Sequence, residues 1–125
     1  MSRKQKIKIQ SAKAKGRQLQ NYVAERLGKL TGISYGKDKD IESRPMGQSG
    51  VDIILRGNAK KLIPFSIECK RQNSWNVKSF IDQAKQNELP ETDWVIIAKK
   101  DRQDPVVIIS LETFLGMLSL IIKKD

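Results

Sequence analysis

Apolar residues recur along the chain with two different periods. Between residues 11 and 30, Leu19, Val23, Leu27 and Leu30 stand three or four positions apart, the spacing that gathers side chains on one helical face. This predicts a first helix over 11–30, ending near Gly32. A polar, glycine-containing loop follows as far as Gly50. Residues 51–55 make a short β-rich run, Arg56, Gly57 and Asn58 close it with turn chemistry, and a return strand starts near Leu62, so the pattern reads as a hairpin. Over 64–70 the chain alternates, with Phe65, Ile67 and Cys69 on one face and Ser66, Glu68 and Lys70 on the other. Burying the first set would present the second.

Helical spacing returns at Val77, Phe80, Ile81 and Ala84, which predicts a second helix within 75–87 that Pro90 bounds. Residues 94–98 are continuously apolar, as in a central strand covered on both sides. A polar loop over 99–104 leads to a strand at 106–109, and Leu111, Phe114, Leu115, Leu118, Ile121 and Ile122 form a last amphipathic helix. Its apolar arc is wide enough to suit either core packing or contact with a second copy. The element order predicts an α/β (α+β) fold around a central mixed sheet.

Composition narrows the chemistry. At 125 residues the chain fits one domain over 11–125, without room for a separate target-reading module. Residues 1–17 carry Arg3, Lys4, Lys6, Lys8, Lys13, Lys15 and Arg17 and no acid, which reads as a basic arm continuous with that domain. The net charge of +10 points to a polyanion, with DNA as the expected partner. No apolar run approaches the roughly 20 residues of a membrane span, and no apolar segment follows the basic N-terminus, so a soluble, cytoplasmic protein is expected. Histidine is absent and Cys69 is the single cysteine. That removes Ser-His and Cys-His nucleophiles, histidine-ligated zinc and an internal disulfide. Catalysis must then run on carboxylates, lysine or a metal-activated water.

Asp52 near one strand and Glu68 and Lys70 on the next suit that requirement, because hairpin pairing would bring two carboxylates and an ammonium to one surface. Two converging carboxylates repel unless a hard cation lies between them, and Mg²⁺ suits oxygen ligands, with Mn²⁺ as a substitute. Such a cation activates a scissile phosphate and a water that Lys70 positions or deprotonates, so the expected reaction is phosphodiester hydrolysis. No nucleotide cofactor is expected.

Gly50-Val51-Asp52 followed by Ile67-Glu68-Cys69-Lys70 resembles the bipartite signature of the PD-(D/E)xK nuclease superfamily, with valine where its name has proline. The resemblance implies a restriction-endonuclease-like core, with Asp52, Glu68 and the Cys69 main-chain carbonyl as metal ligands. Within that superfamily the chain is similar to archaeal-type Holliday junction resolvases, including those that phages encode. Lys15-Gly16 opens the first helix, Arg44 precedes Asp52, and Ser49-Gly50 matches a serine-glycine loop. Gln20 stands where those enzymes carry a glutamate. The resemblance implies Ser49 and Gln20 as further catalytic candidates and a homodimer that cuts a four-way junction. Arg44, Arg71, Lys13, Lys15 and Arg17 are the candidate DNA contacts. Glu25 falls opposite the apolar stripe and reads as surface, Gln83 points away from the stripe of its own helix, and Trp75 and Trp94 read as core or interface. A nicking or flap-type nuclease and a non-catalytic basic DNA-binding protein are the alternatives.

Overall fold

A computed structural model describes residues 1–124. Helix α1 (Arg3–Thr31) begins well before the first apolar stripe. Lysine, arginine, glutamine and alanine, all good helix formers, fill most of the added turns. Ser2 caps them. Its hydroxyl accepts from the Gln5 amide at 3.2 Å while the Gln5 side chain accepts from the Ser2 amide at 2.8 Å. Gly32, in the left-handed region at φ +75°, closes the other end. The helix buries Leu19, Gln20, Val23, Ala24 and Gly28, whereas Leu30, expected on the same stripe, is 82% exposed. Residues 1–13 are all exposed, so about three turns of α1 stand clear of the body.

The loop expected before Gly50 contains a strand, β1 (Ile41–Ser43), which pairs antiparallel with β2 (Ile53–Leu55). The expected hairpin between β2 and the next strand does not form. A short helix, α2 (Gly57–Leu62), intervenes, and β3 (Phe65–Arg71) joins a separate three-stranded mixed sheet. There β3 runs parallel to the central β4 (Asp93–Lys99), connected through α3 (Val77–Asn87), and β5 (Val106–Ile108) pairs antiparallel on the far side. The two sheets are tied at the residue that matters most, where the Asp52 amide donates to the Ile67 carbonyl at 3.1 Å.

Helices cover both faces of the larger sheet. Leu19 and Val23 of α1 pack in one cluster with Ile41, Ile53, Ile67 and Val95, while Phe80 and Ala84 of α3 pack in another with Ile96 and Ala98. Because α3 lies over the polar face of β3, that face is not presented to solvent as the alternation suggested: Ser66 and Glu68 are buried at 2% and 3% exposure. The arrangement is the mixed α/β core expected of a restriction-endonuclease-like fold. Helix α4 (Leu111–Ile122) forms where predicted yet buries no residue, so it does not supply the core packing its pattern allowed. Among the described residues, no helix is long and apolar enough to cross a membrane.

Candidate active site

Glu68 and Lys70 leave β3 on the α3 side, and Asp52 reaches the open edge of the same strand from the turn before β2. Two main-chain bonds hold that turn: the Asp52 amide on Ile67, and the Arg44 amide on the Asp52 carbonyl at 2.7 Å. A third contact aims the side chain. The Cys69 amide donates to Asp52 Oδ2 at 2.7 Å, and the carboxyl groups of Asp52 and Glu68 meet within hydrogen-bonding range.

Gly50 is the position where this turn tolerates no side chain. Its φ is +118°, and a Cβ there would stand 2.9 Å from the Arg44 guanidinium. The same guanidinium donates through Nε to the Val51 carbonyl at 2.6 Å. Arg44, expected to grip phosphate, thus braces the segment that delivers Asp52.

Burial sets the electrostatics. It pushes the Asp52 carboxyl above its ordinary pKa against the pull of the Cys69 amide, and burial followed by the nearby Asp52 charge pushes Glu68 up to about 7. Burial, then Asp52 and Glu68, also raise the Cys69 thiol, which keeps it protonated and inert. Asn87 Nδ2 donates to Glu68 Oε1 at 3.0 Å, and Lys70 Nζ donates to Gln83 Oε1. The Lys70 ammonium also lies 5.6 Å from the centre of the Phe80 ring.

All six residues named from sequence for catalysis or metal binding line one cleft: Gln20, Ser49, Asp52, Glu68, Cys69 and Lys70. Gln20 enters from α1 and is buried, with its Oε1 accepting from the Ser43 hydroxyl at 3.0 Å, so its carbonyl already has a donor. Ser49 is exposed at the rim. Gln83, set aside from the sequence because it points away from the apolar stripe, lines the cleft together with Gln86 and Asn87. The apolar stripe of α3 faces Ile96 and Ala98, whereas Glu68 and Lys70 meet the flank of the helix. Pointing away from the core was therefore no sign of pointing away from the site. The recurrence of amides at 83 and 87, one helical turn apart, was the available signal.

The basic candidates divide. Lys13 and Arg17 are exposed on α1. Arg71 extends to the opposite face of β3 from Lys70, where its Nη2 binds Asp101 at 2.5 Å and Lys15 Nζ binds the same oxygen at 3.1 Å. Glu25 pairs with Lys29 on the surface. Trp75 packs against Phe80, their ring centres 6.4 Å apart, and Trp94 borders the same cluster.

Neighbouring carboxyl groups with raised pKa values, one buried and one half-buried, fit a divalent cation, which would replace their proton and remove their repulsion. The Cys69 amide points at Asp52, and in an extended strand the carbonyl of the same residue leaves by the same edge. Two carboxylates and a main-chain oxygen are the hard donors that Mg²⁺ takes. Among the described residues no group of three or more acidic, cysteine or histidine side chains gathers, so the remaining ligands would come from amides, water or substrate.

The protein family described as "Phage putative PDDEXK endonuclease" matches residues 11–121. No curated protein and no solved structure matches the chain.

Proposed function

This chain belongs to the phage PD-(D/E)xK endonuclease family, and from that premise we propose that it is a Mg²⁺-dependent DNA endonuclease selective for branched DNA, a Holliday junction resolvase. The single observation that carries the hydrolytic reading is the approach of the half-buried Asp52 carboxyl to the buried Glu68 carboxyl beside the Lys70 amine. Asp52, Glu68 and the Cys69 carbonyl would hold the cation, which supplies Lewis-acid activation of the phosphodiester and of a water. Lys70, oriented by Gln83, positions the attacking water and offsets charge on the phosphate. Asn87 keeps Glu68 aimed at Asp52. The Ser49 hydroxyl, at the rim of the cleft, would donate to the DNA backbone. Gln20 shapes the cleft wall from α1 through its bond to Ser43.

The exposed apolar face of α4 supports a homodimer. Leu111, Phe114, Ile121 and Ile122 fall on one arc of about 100° and are each 50% exposed or more, a concentration that a second copy would cover. Isologous pairing would give two equivalent sites, as symmetric incision of a four-way junction requires. The test is cleavage of a synthetic four-way junction against flap, nicked and single-stranded DNA, with and without Mg²⁺. A resolvase cuts the junction fastest and symmetrically, and activity that persists in chelator overturns the metal-dependent reading. Equal rates on all substrates overturn junction selectivity and leave a general nuclease of the family.

A further inference from the structure

Helix α1 separates two clefts. One is the Asp52–Glu68 cleft, which α1 lines with Gly16 and Gln20. The other lies on the β4–β5 side, where α1 contributes Lys15 and Tyr22, the sheet contributes Arg71 and Lys99, and the β4–β5 loop contributes Asp104. At about 100° per residue, the basic side chains of the exposed turns, apart from Arg3 between them, sort into two rows that continue toward these clefts. Lys6, Lys13 and Arg17 lie within about 60° of Gln20 around the helix axis. Lys4 and Lys8 lie within about 20° of Lys15, so this row stands roughly opposite the first.

The second cleft is built to keep cations in place. Asp101 binds Lys15, Arg71 and the Asn73 amide, the last at 2.8 Å, and so holds the first two side by side. Lys99 Nζ donates to the Lys100 carbonyl at 3.1 Å. The acids there are Asp101 and Asp104, set against Lys4, Lys8, Lys15, Arg71 and Lys99, so the row keeps an excess of positive charge.

We propose that this second cleft and its row form a second DNA-backbone site that takes the strand not being cut, with α1 as a wedge between two separated strands. The inference rests on the endonuclease reading above and adds to it a reason for preferring branch points. A helix with cations on one flank only would suit a single backbone. Two opposed rows suit two backbones, with the roughly 10 Å body of the helix between them.

The test measures binding in EDTA, where no cutting occurs, on a splayed fork, a plain duplex and a single strand. Lys6→Ala/Lys13→Ala/Arg17→Ala is expected to weaken binding of all three about ten-fold or more. Lys4→Ala/Lys8→Ala/Lys99→Ala is expected to weaken the fork about ten-fold, lower its salt slope by about 2, and change the single strand less than about three-fold. All six positions except Lys99 are on exposed helix, and circular dichroism of each variant checks the fold. Equal losses on fork and single strand, or on fork and duplex, overturn strand separation, as does an unchanged fork affinity. Because the readout is binding, wild-type cleavage in Mg²⁺ reports on the endonuclease reading independently.

Discussion

Two acidic centres flank β3, and positive charge reaches them differently. On the α1 face, Asp101 accepts from Lys15, Arg71 and Asn73, and the Asn73, Arg71 and Lys15 bonds hold its carboxyl well below the usual carboxylate range. On the α3 side and strand edge, the half-buried Asp52 faces the buried Glu68, and the influence of Lys70 is outweighed by desolvation. The chain supplies its own counter-charge at Asp101, which makes that centre structural. At Asp52 and Glu68 it leaves two acids short of cations, which is the condition a divalent metal relieves. Acidity alone therefore does not distinguish the two centres; the counter-charge that the chain supplies to each does.

The largest effect expected from this contrast is on activity. Asp52→Asn and Lys70→Ala should each lower single-turnover cleavage of branched DNA by about 10³-fold or more while binding in EDTA persists, whereas Asp101→Asn should stay within about ten-fold of wild type. Full cleavage by either of the first two variants would make the Asp52–Glu68 pair as structural as Asp101.

Gly50→Ala attacks the delivery of Asp52 instead of its charge. A Cβ at φ +118° against the Arg44 guanidinium should cost about 1–3 kcal/mol in denaturant unfolding and lower cleavage along with it. An alanine variant of unchanged stability and rate would show that Arg44 does not brace the turn.

Stability against pH should separate the centres by sign. The carboxyl of Asp101 is depressed, so its contribution is present above the ordinary aspartate pKa and is lost as pH falls. Asp101→Asn should lower the thermal midpoint at pH 7, and the difference from wild type should begin to shrink only as pH falls below the ordinary aspartate range. Glu68 is raised, so the metal-free fold is favoured while the group is protonated, and that contribution is lost as pH rises from the ordinary glutamate range through about 7. Glu68→Gln should therefore raise the midpoint of the metal-free protein by a few degrees at pH 8 and not at pH 4.5. Mg²⁺ should raise the wild-type midpoint at pH 8 and leave that of Glu68→Gln nearly unchanged. The opposite ordering in either titration would remove the distinction between the two centres.

The spacing of apolar residues located α3, α4 and the continuous strand β4 closely, because each is long enough for its period to repeat. Strand β1 was not legible: three residues hold no period, and Ile41–Ser43 is a strand only because β2 lies beside it. The turns of α1 before residue 11 read as arm and not as helix because they carry no apolar stripe, although propensity and the Ser2–Gln5 cap suffice to make them helical. Gln83 and Asn87 left only a weak mark in the sequence, two amides one helical turn apart, for a different reason. That they line the cleft depends on how α3 is set across β3, which is a tertiary quantity.

By itself the sequence determined the chemistry within reach: no imidazole, no thiol pair, an excess of cations, and an aspartate upstream of a Glu-x-Lys on a strand. It also set which segments were helical or extended, since those preferences are local. The tertiary structure alone decided that Asp52 meets Glu68 across a strand edge rather than a hairpin, that amides from α3 complete the cleft, and that Arg71 faces away from Lys70 toward Asp101. Burial and proximity shift a carboxyl pKa, and both arise only when segments distant along the chain pack together.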